Sequence, residues 1–407
     1  MPVADFREDA TGSPLLMAGS VLPHVARSNG LSRAALMEAA GLSRVTLAQR
    51  LYALLDAGIV REGSRTVPSG GRPTRLLTLN PSAAVMLTAD MGETHIRLAV
   101  TDLSPTILAQ ETISFRISAG PLAALERIAE GFDRLLRPAE SFVLGTGISL
   151  PAPVDHRAGR VVGPSILVGW DNFPIGAWLA ARFEAPAIVE NDVNLMTVYE
   201  YRRPDVTAKE LFFVKIGTGI GSGIVTDGRL HRGAQGASGD IGHIQFLGQE
   251  APLCRCGKLG CLEARAGGWA LARDLRALGF DATDARDVIA LVDRQVPEAI
   301  QRVEAAGRAV GEAICAAISI LNPGQIVIGG TLARAGAPLL AGIREMIYRR
   351  CLPLATRDLV LLASPPVDEA CLLGAAHSVL EHVFSPSETP RFLARYGAWL
   401  GAARRCA

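Results

Sequence analysis

Leu211-Phe-Phe-Val-Lys-Ile-Gly-Thr-Gly-Ile-Gly-Ser-Gly-Ile-Val-Thr-Asp-Gly228 is an apolar run, a glycine-rich turn and a second apolar run. A related pattern stands upstream: Val85-Met-Leu-Thr-Ala-Asp-Met-Gly-Glu-Thr-His-Ile-Arg-Leu-Ala-Val-Thr-Asp102. Both predict strand, tight turn, strand. Such turns expose backbone N–H groups and threonine hydroxyls that wrap phosphate oxygens. Asp90, Gly92 and Thr94 in the first, and Gly217, Thr218, Gly219 and Gly221 in the second, are therefore candidate phosphate-binding positions. One such turn is weak evidence, because hairpins need glycines anyway. The same unit twice, each followed by alternating helical and strand patterns, predicts a duplicated α/β architecture with a cleft between two lobes. A third element, Asn322-Pro-Gly-Gln-Ile-Val-Ile-Gly-Gly-Thr331, is an apolar strand ending in paired glycines where a ligand can approach the backbone.

Between the two units, Ile188-Val-Glu-Asn-Asp-Val-Asn-Leu195 delivers Glu190, Asn191, Asp192 and Asn194 at the end of an apolar strand. Carboxylates and amides in that position suit sugar hydroxyls, which need acceptors and donors in fixed directions. Asp192 is also placed to act as general base on a hydroxyl attacking phosphate. The alternative is that these residues cap the following helix. Downstream stand Gly239-Asp240-Ile-Gly-His243 and Cys254-Arg-Cys256-Gly-Lys-Leu-Gly-Cys261-Leu-Glu263. Three thiolates and an imidazole, His243, Cys254, Cys256 and Cys261, form a closed N/S set of the kind that holds structural zinc. Gly257 and Gly260 let the loop bend back on itself. Free cysteines are the alternative, but three within eight residues around glycines favour a metal. Asp240 and Glu263 flank the cluster as candidate ligand-binding groups.

The first eighty residues have a different periodicity. After an apolar stretch from Leu15 to Ala26, Ser32 predicts the cap of a short helix that Gly41 ends, and Ser43 caps a second helix through Asp56. Two helices joined by a three-residue turn have the shape of a helix-turn-helix. Helical spacing puts Val45, Ala48, Leu51, Tyr52 and Leu55 on an inward face, with Ser43, Arg44, Thr46, Gln49 and Arg50 left for base edges and phosphates. An ordinary helical hairpin with a solvated polar face fits equally well. Two short strands, Ile59–Glu62 and Thr74–Leu79, then flank Ser69-Gly-Gly-Arg-Pro73 and complete a winged helix. Arg72 at its tip suits a narrow minor groove, the alternative being a solvated loop charge. Asn80-Pro-Ser82 reads as a short linker.

Composition sets the bounds. The chain has 407 residues, enough for two or three domains, with 49% hydrophobic and 20% charged residues. Mean hydropathy is +0.26, which argues against disorder. Net charge is only +1, yet Ser43–Arg75 carries six arginines against Asp56 and Glu62. One basic patch on a near-neutral protein fits a single nucleic-acid-binding module. Lysines are scarce: Lys209, Lys215 and Lys258. Neither a secretory signal nor an apolar run long enough for a bilayer is present, so a cytoplasmic location without membrane association is expected.

These motifs together resemble the ROK family of repressors, open reading frames and sugar kinases, from Val85 to about His377. The helix-turn-helix extension resembles its repressor branch, typified by xylose-, N-acetylglucosamine- and glucose-responsive regulators. The resemblance implies an actin-like or hexokinase-like (ribonuclease H-like) two-lobed ATPase fold behind a winged helix at 1–80. The first lobe is then 83–203 with the C-terminal helices of about 375–407, and the second 204–374. It also implies operator DNA, a sugar or sugar derivative and further copies of the chain, as homodimer or dimer of dimers, as partners. Asn191, Asp192, Asp240, His243 and Glu263 match the family's sugar-binding set, and His243, Cys254, Cys256 and Cys261 its zinc set. Asp192 matches the kinases' catalytic base.

Three positions depart from the kinase pattern. Glu93 stands where the first turn usually has glycine, and a carboxylate about 4 Å from a phosphate repels it by roughly a few kcal/mol at intermediate dielectric. Asp240 replaces glutamate, and Ala152 replaces glycine. The expectation is a regulator that has lost kinase activity and does not use ATP, the alternative being a sugar kinase with an appended DNA-binding domain. A third possibility is a sugar-binding protein whose winged helix contacts proteins.

Overall fold

The computed structural model describes residues 14–28, 30–67, 74–136, 141–163, 167, 169–246 and 251–406. They fall into two units, one running to Glu190 and resuming at Ala375, the other Asn191–Gly374.

The predicted duplication is visible in the sheets. The first unit orders its strands Ile107–Ser114, His95–Thr101, Val85–Met91, Val143–Leu150 and Ala187–Asn191. The second orders Arg229–Leu230, Ile220–Thr226, Leu211–Ile216, Gln325–Gly329 and Val360–Ala363. Counted along the chain, both sheets run third, second, first, fourth, fifth. In each, the first two strands are the antiparallel hairpin read from the sequence, and the fourth joins the first in parallel. Thus each glycine turn closes a hairpin at the middle of its sheet.

Helices cover the sheets for simple reasons. Pro121–Leu136 buries Leu125, Ile128 and Phe132 over the first sheet. In the second unit Pro297–Leu321 packs against Ala337–Arg350, and Gly307 and Gly342 permit a close crossing. A Cβ on Gly307 would stand 2.3 Å from the Leu339 carbonyl oxygen, and one on Gly342 2.4 Å from that of Glu304. The helix Asp192–Tyr201 packs on Ile220–Thr226, with Val193 and Thr197 lying where Cβ atoms of Gly221 and Gly223 would be. It therefore belongs with the second unit, and the division falls after Glu190.

Near the N-terminus, the helices Arg33–Ala40 and Arg44–Asp56 are followed by a two-stranded ribbon, Val60–Val67 with Thr74–Leu79. The Ser32 side chain accepts from Ala35 N, Ser43 from Thr46 N, and Gly41 is left-handed at φ 62°. Each cap is where the sequence placed it. Asn80 is no loose linker: its amide donates to the Gly58 carbonyl and its oxygen accepts from Ser82 N. Residues 68–73, including Arg72, lie outside the described residues.

The inward face of the second helix is corrected in part: Leu51 is buried and Leu55 half-buried as read, but the other three are not. Leu47, Leu51 and Leu54 are buried, whereas Val45 is 69% and Tyr52 70% exposed and Ala48 is exposed as well. The helix carries apolar residues on both sides, and the leucine stripe won because it meets Leu22, Val25, Leu36 and Leu77. That core continues to the C-terminal helix Thr389–Cys406, where Phe392 and Tyr396 pack around Phe142 and Tyr396 Oη donates to the Ala57 carbonyl. The expected signature is a split between neighbours. Leu54→Ala should lower unfolding free energy by about 2–5 kcal/mol, while Tyr52→Ala should leave it unchanged within about 0.5 kcal/mol. Urea denaturation of both variants decides it.

Candidate functional site

The strand Ile220–Thr226 supports the site in the second unit. Gly239 and Gly242 let the next segment lie flat on it. A Cβ at either would sit 2.1 Å from a carbonyl oxygen, of Ser222 and Ile220 respectively. Ser222 N and Oγ both donate to the Gly239 carbonyl, at 2.9 and 2.7 Å. This anchors Asp240, which is exposed, and His243, which is half-buried.

His243 meets the cysteine loop. Cys254 N donates to Lys258 O and Gly257 N to Cys254 O, a tight turn that needs Gly257 at φ 85°. One ligand atom from each of His243, Cys254, Cys256 and Cys261 lies within 4.8 Å of all the others. The His243 Nδ1–Cys254 Sγ separation is 3.9 Å and Cys256 Sγ–Cys261 Sγ is 3.6 Å. Around zinc, metal–sulfur bonds of about 2.3 Å put tetrahedral ligands roughly 3.8 Å apart, so the donor set fits that ion. Burial and the neighbouring thiols push the Cys261 thiol up to about 12. A dication would supply the missing positive charge and displace those protons.

Cys261 stands immediately before the helix Leu262–Ala266, which carries Glu263 in its first turn. The Glu263 carboxylate accepts from Ile220 N at 3.1 Å and from Trp269 Nε1 at 3.1 Å, with the Arg255 guanidinium 3.5 Å away. Arg255 in turn lies over the Trp269 ring. The metal loop, Glu263 and the second glycine turn are thus one connected structure. Within that turn Gly217 N donates to Gly219 O and Ile220 N is taken by Glu263, so two backbone donors are already engaged.

Asn191 caps the helix Asp192–Tyr201 through Val193 N and Asn194 N. Asp192 Oδ1 accepts from Val193 N at 2.8 Å, and Oδ2 lies 2.5 Å from Lys215 Nζ. Each carboxylate oxygen thus has one partner and keeps a lone-pair site for another. Lys215 is the residue that sequence reasoning missed here. Its signal was a lone charge inside an apolar strand. Trp269 and Arg255 had no signal in spacing at all.

In the first unit, Glu93 and Thr94 are exposed at the first glycine turn, and the His95 imidazole packs where a Gly92 Cβ would be. Asp90 pairs in register with Arg97 and Ser149 on the flanking strands. Glu190 is buried 3.4 Å from the His156 ring, and Ala152 is buried too.

The expected DNA-reading set is redistributed. Arg44 and Gln49 are exposed. Ser43 and Thr46 instead bond each other, Oγ to Oγ1 at 2.9 Å, as part of the cap. Arg50 Nη1 donates to Ser20 Oγ in the preceding segment, away from Gln49. In their place the helix presents Val45, Ala48 and Tyr52 alongside Gln49. Among the described residues no helix is long and apolar enough to cross a membrane.

Comparison with known proteins follows this geometry. The model of the ROK family matches residues 86–382. The putative xylose repressor of Caldicellulosiruptor sp. is 27% identical over 391 residues, covering 91% of this chain and 96% of that protein. Among solved structures, a ROK family transcriptional regulator described as a homolog of the E. coli MLC protein superposes with a TM-score of 0.80 at 25% identity, covering 94% of this chain and 99% of the other. A ROK hexokinase from Thermus thermophilus gives 0.61 at 29% identity, with 72% of this chain and 97% of the enzyme covered.

Proposed function

Because the chain belongs to the ROK family, we propose that it is a DNA-binding transcriptional repressor whose operator affinity is set by a sugar or sugar derivative. The observation that carries this reading is coverage. The two regulators align along 91–94% of the chain, whereas the hexokinase aligns along 72%.

Gln49, flanked by Val45, Ala48 and Tyr52, reads base edges in a major groove: glutamine suits adenine, and small apolar groups suit thymine methyls. Arg44 contacts phosphate, and Arg72 at the wing tip enters the minor groove. Two copies of the chain in a dimer, or a dimer of dimers, present paired heads to two half-sites.

The sugar is held by Asn191, Asp192, Asp240, His243 and Glu263. A structural zinc ion held by His243, Cys254, Cys256 and Cys261 fills all four positions and supplies cross-linking rather than hydrolysis. With His243 Nδ1 turned to the thiols, Nε2 keeps its proton and donates to a sugar hydroxyl. The test is DNA binding by fluorescence anisotropy, using the gene's own upstream region at fixed salt and a panel of free and phosphorylated sugars. Specific binding that one sugar shifts supports the proposal. Specific binding that none shifts contradicts its sugar-responsive half.

Loss of kinase activity rests on Glu93, exposed at the first glycine turn where a phosphate would have to approach. Wild type should fail to consume ATP with any sugar of that panel, and Glu93→Gly should raise any latent turnover. Coupled-assay turnover by wild type would restore the kinase reading.

A further inference from the structure

Arg50 has a place of its own. At 100° per residue, Val45, Ala48, Gln49 and Tyr52 share one side of their helix, and Arg50 lies roughly 150° round from its middle. Its guanidinium turns into a cavity of about 580 Å3 within the first unit, among the N-terminal helices, Ala40 and the start of the C-terminal helix. The walls are mixed. Leu16, Met17 and Pro390 are apolar, Ser20 is a hydroxyl that already accepts from Arg50, and His24, Arg27 and Arg50 are basic, while among the described residues no acid lines the cavity. Arg50 Nε is buried with no hydrogen-bond partner. Among the described residues no carboxylate pairs with Arg27 or Arg50. The two guanidiniums lack a counter-charge among the residues lining the cavity, which an anionic oxygen would supply.

We propose that this cavity is a second ligand site, for a small amphipathic anion: a carboxylate or phosphate monoester on a hydrocarbon body about the size of one ring. Its volume lies in the range of roughly 300–1,000 Å3 usual for such ligands. The apolar walls disfavour a polyhydroxylated sugar, and the guanidinium fork matches carboxylate and phosphate oxygens. Every wall belongs to the first unit, whereas the residues proposed to hold the sugar and the metal all belong to the second. The occupant would bridge the helix that reads DNA and the C-terminal helix beside it, and so restrain the head directly.

The probe is phenyl phosphate, titrated calorimetrically into the full-length, metal-loaded protein, with inorganic phosphate and benzyl alcohol as controls. Phenyl phosphate should bind with sub-millimolar affinity, and both controls at least about tenfold more weakly. Arg50→Met keeps the aliphatic stem and should weaken phenyl phosphate by about tenfold or more. Met17→Trp, which fills the cavity and leaves the guanidiniums in place, should weaken it too. No measurable phenyl phosphate binding, affinity unchanged in both variants, or inorganic phosphate binding equally well would each overturn the assignment. None of these readouts depends on DNA or sugar, so this site and the repressor reading can fail separately.

Discussion

Cys261→Ser should purify without its metal and should lose sugar binding by at least about tenfold, with the rest of its fold retained. The residue is wholly buried, 3.6 Å from Cys256, and it opens the helix that carries Glu263. Structural zinc contributes about 10–16 kcal/mol of apparent binding free energy in small zinc-dependent domains. Here the second unit has a large core of its own, so the loss should stay local to the loop, His243 and Glu263. Glu263 would then loosen from Ile220 N and Trp269, and His243 would lose the partner that orients its ring. Metal uptake must also displace thiol protons, so metal affinity should rise with pH. Metal content by emission spectroscopy, sugar titration and thermal melting together test this. Full metal content with unchanged sugar affinity in Cys261→Ser would sink it.

The second large effect concerns the head. Val45→Ala combined with Gln49→Ala should weaken specific DNA binding by about tenfold to 100-fold, because a bidentate glutamine contact alone is worth about 1–3 kcal/mol. Both side chains are exposed, so stability should not change. Arg50→Met, on the far side of the helix, should keep specific affinity within about threefold. Anisotropy with the same duplex separates the cases. A folded Arg50→Met protein that loses specific binding while the double variant keeps it would reverse the assignment of the reading face.

Much of this was legible before the structure. Ser32, Gly41 and Ser43 end and begin helices as their chemistry requires. The repeated strand–turn–strand unit foretold two sheets of one topology, and the cysteine spacing foretold the cluster. What failed was the rotation of one helix. Val45, Ala48 and Tyr52 are apolar and so are Leu47, Leu51 and Leu54, and periodicity cannot choose between two apolar faces. Packing against Leu36 and Leu77 chose, and the face left in solvent breaks the inside-apolar rule, as functional surfaces do. Lys215 beside Asp192 was hidden for another reason, since two positions 23 residues apart meet only through strand pairing and helix packing. The cavity around Arg50 draws its walls from four separate stretches of chain, and no local pattern encodes it.

The most direct test of a sugar-responsive repressor is reciprocity. Once the anisotropy screen names the sugar, its dissociation constant should be measured by calorimetry with and without saturating operator duplex. If sugar sets operator affinity, the two constants must differ by the same factor as the DNA affinities, about 5–150-fold for ordinary coupling. Equal constants would mean that sugar and DNA bind independently, and the account of the protein as a sugar-controlled repressor would be wrong.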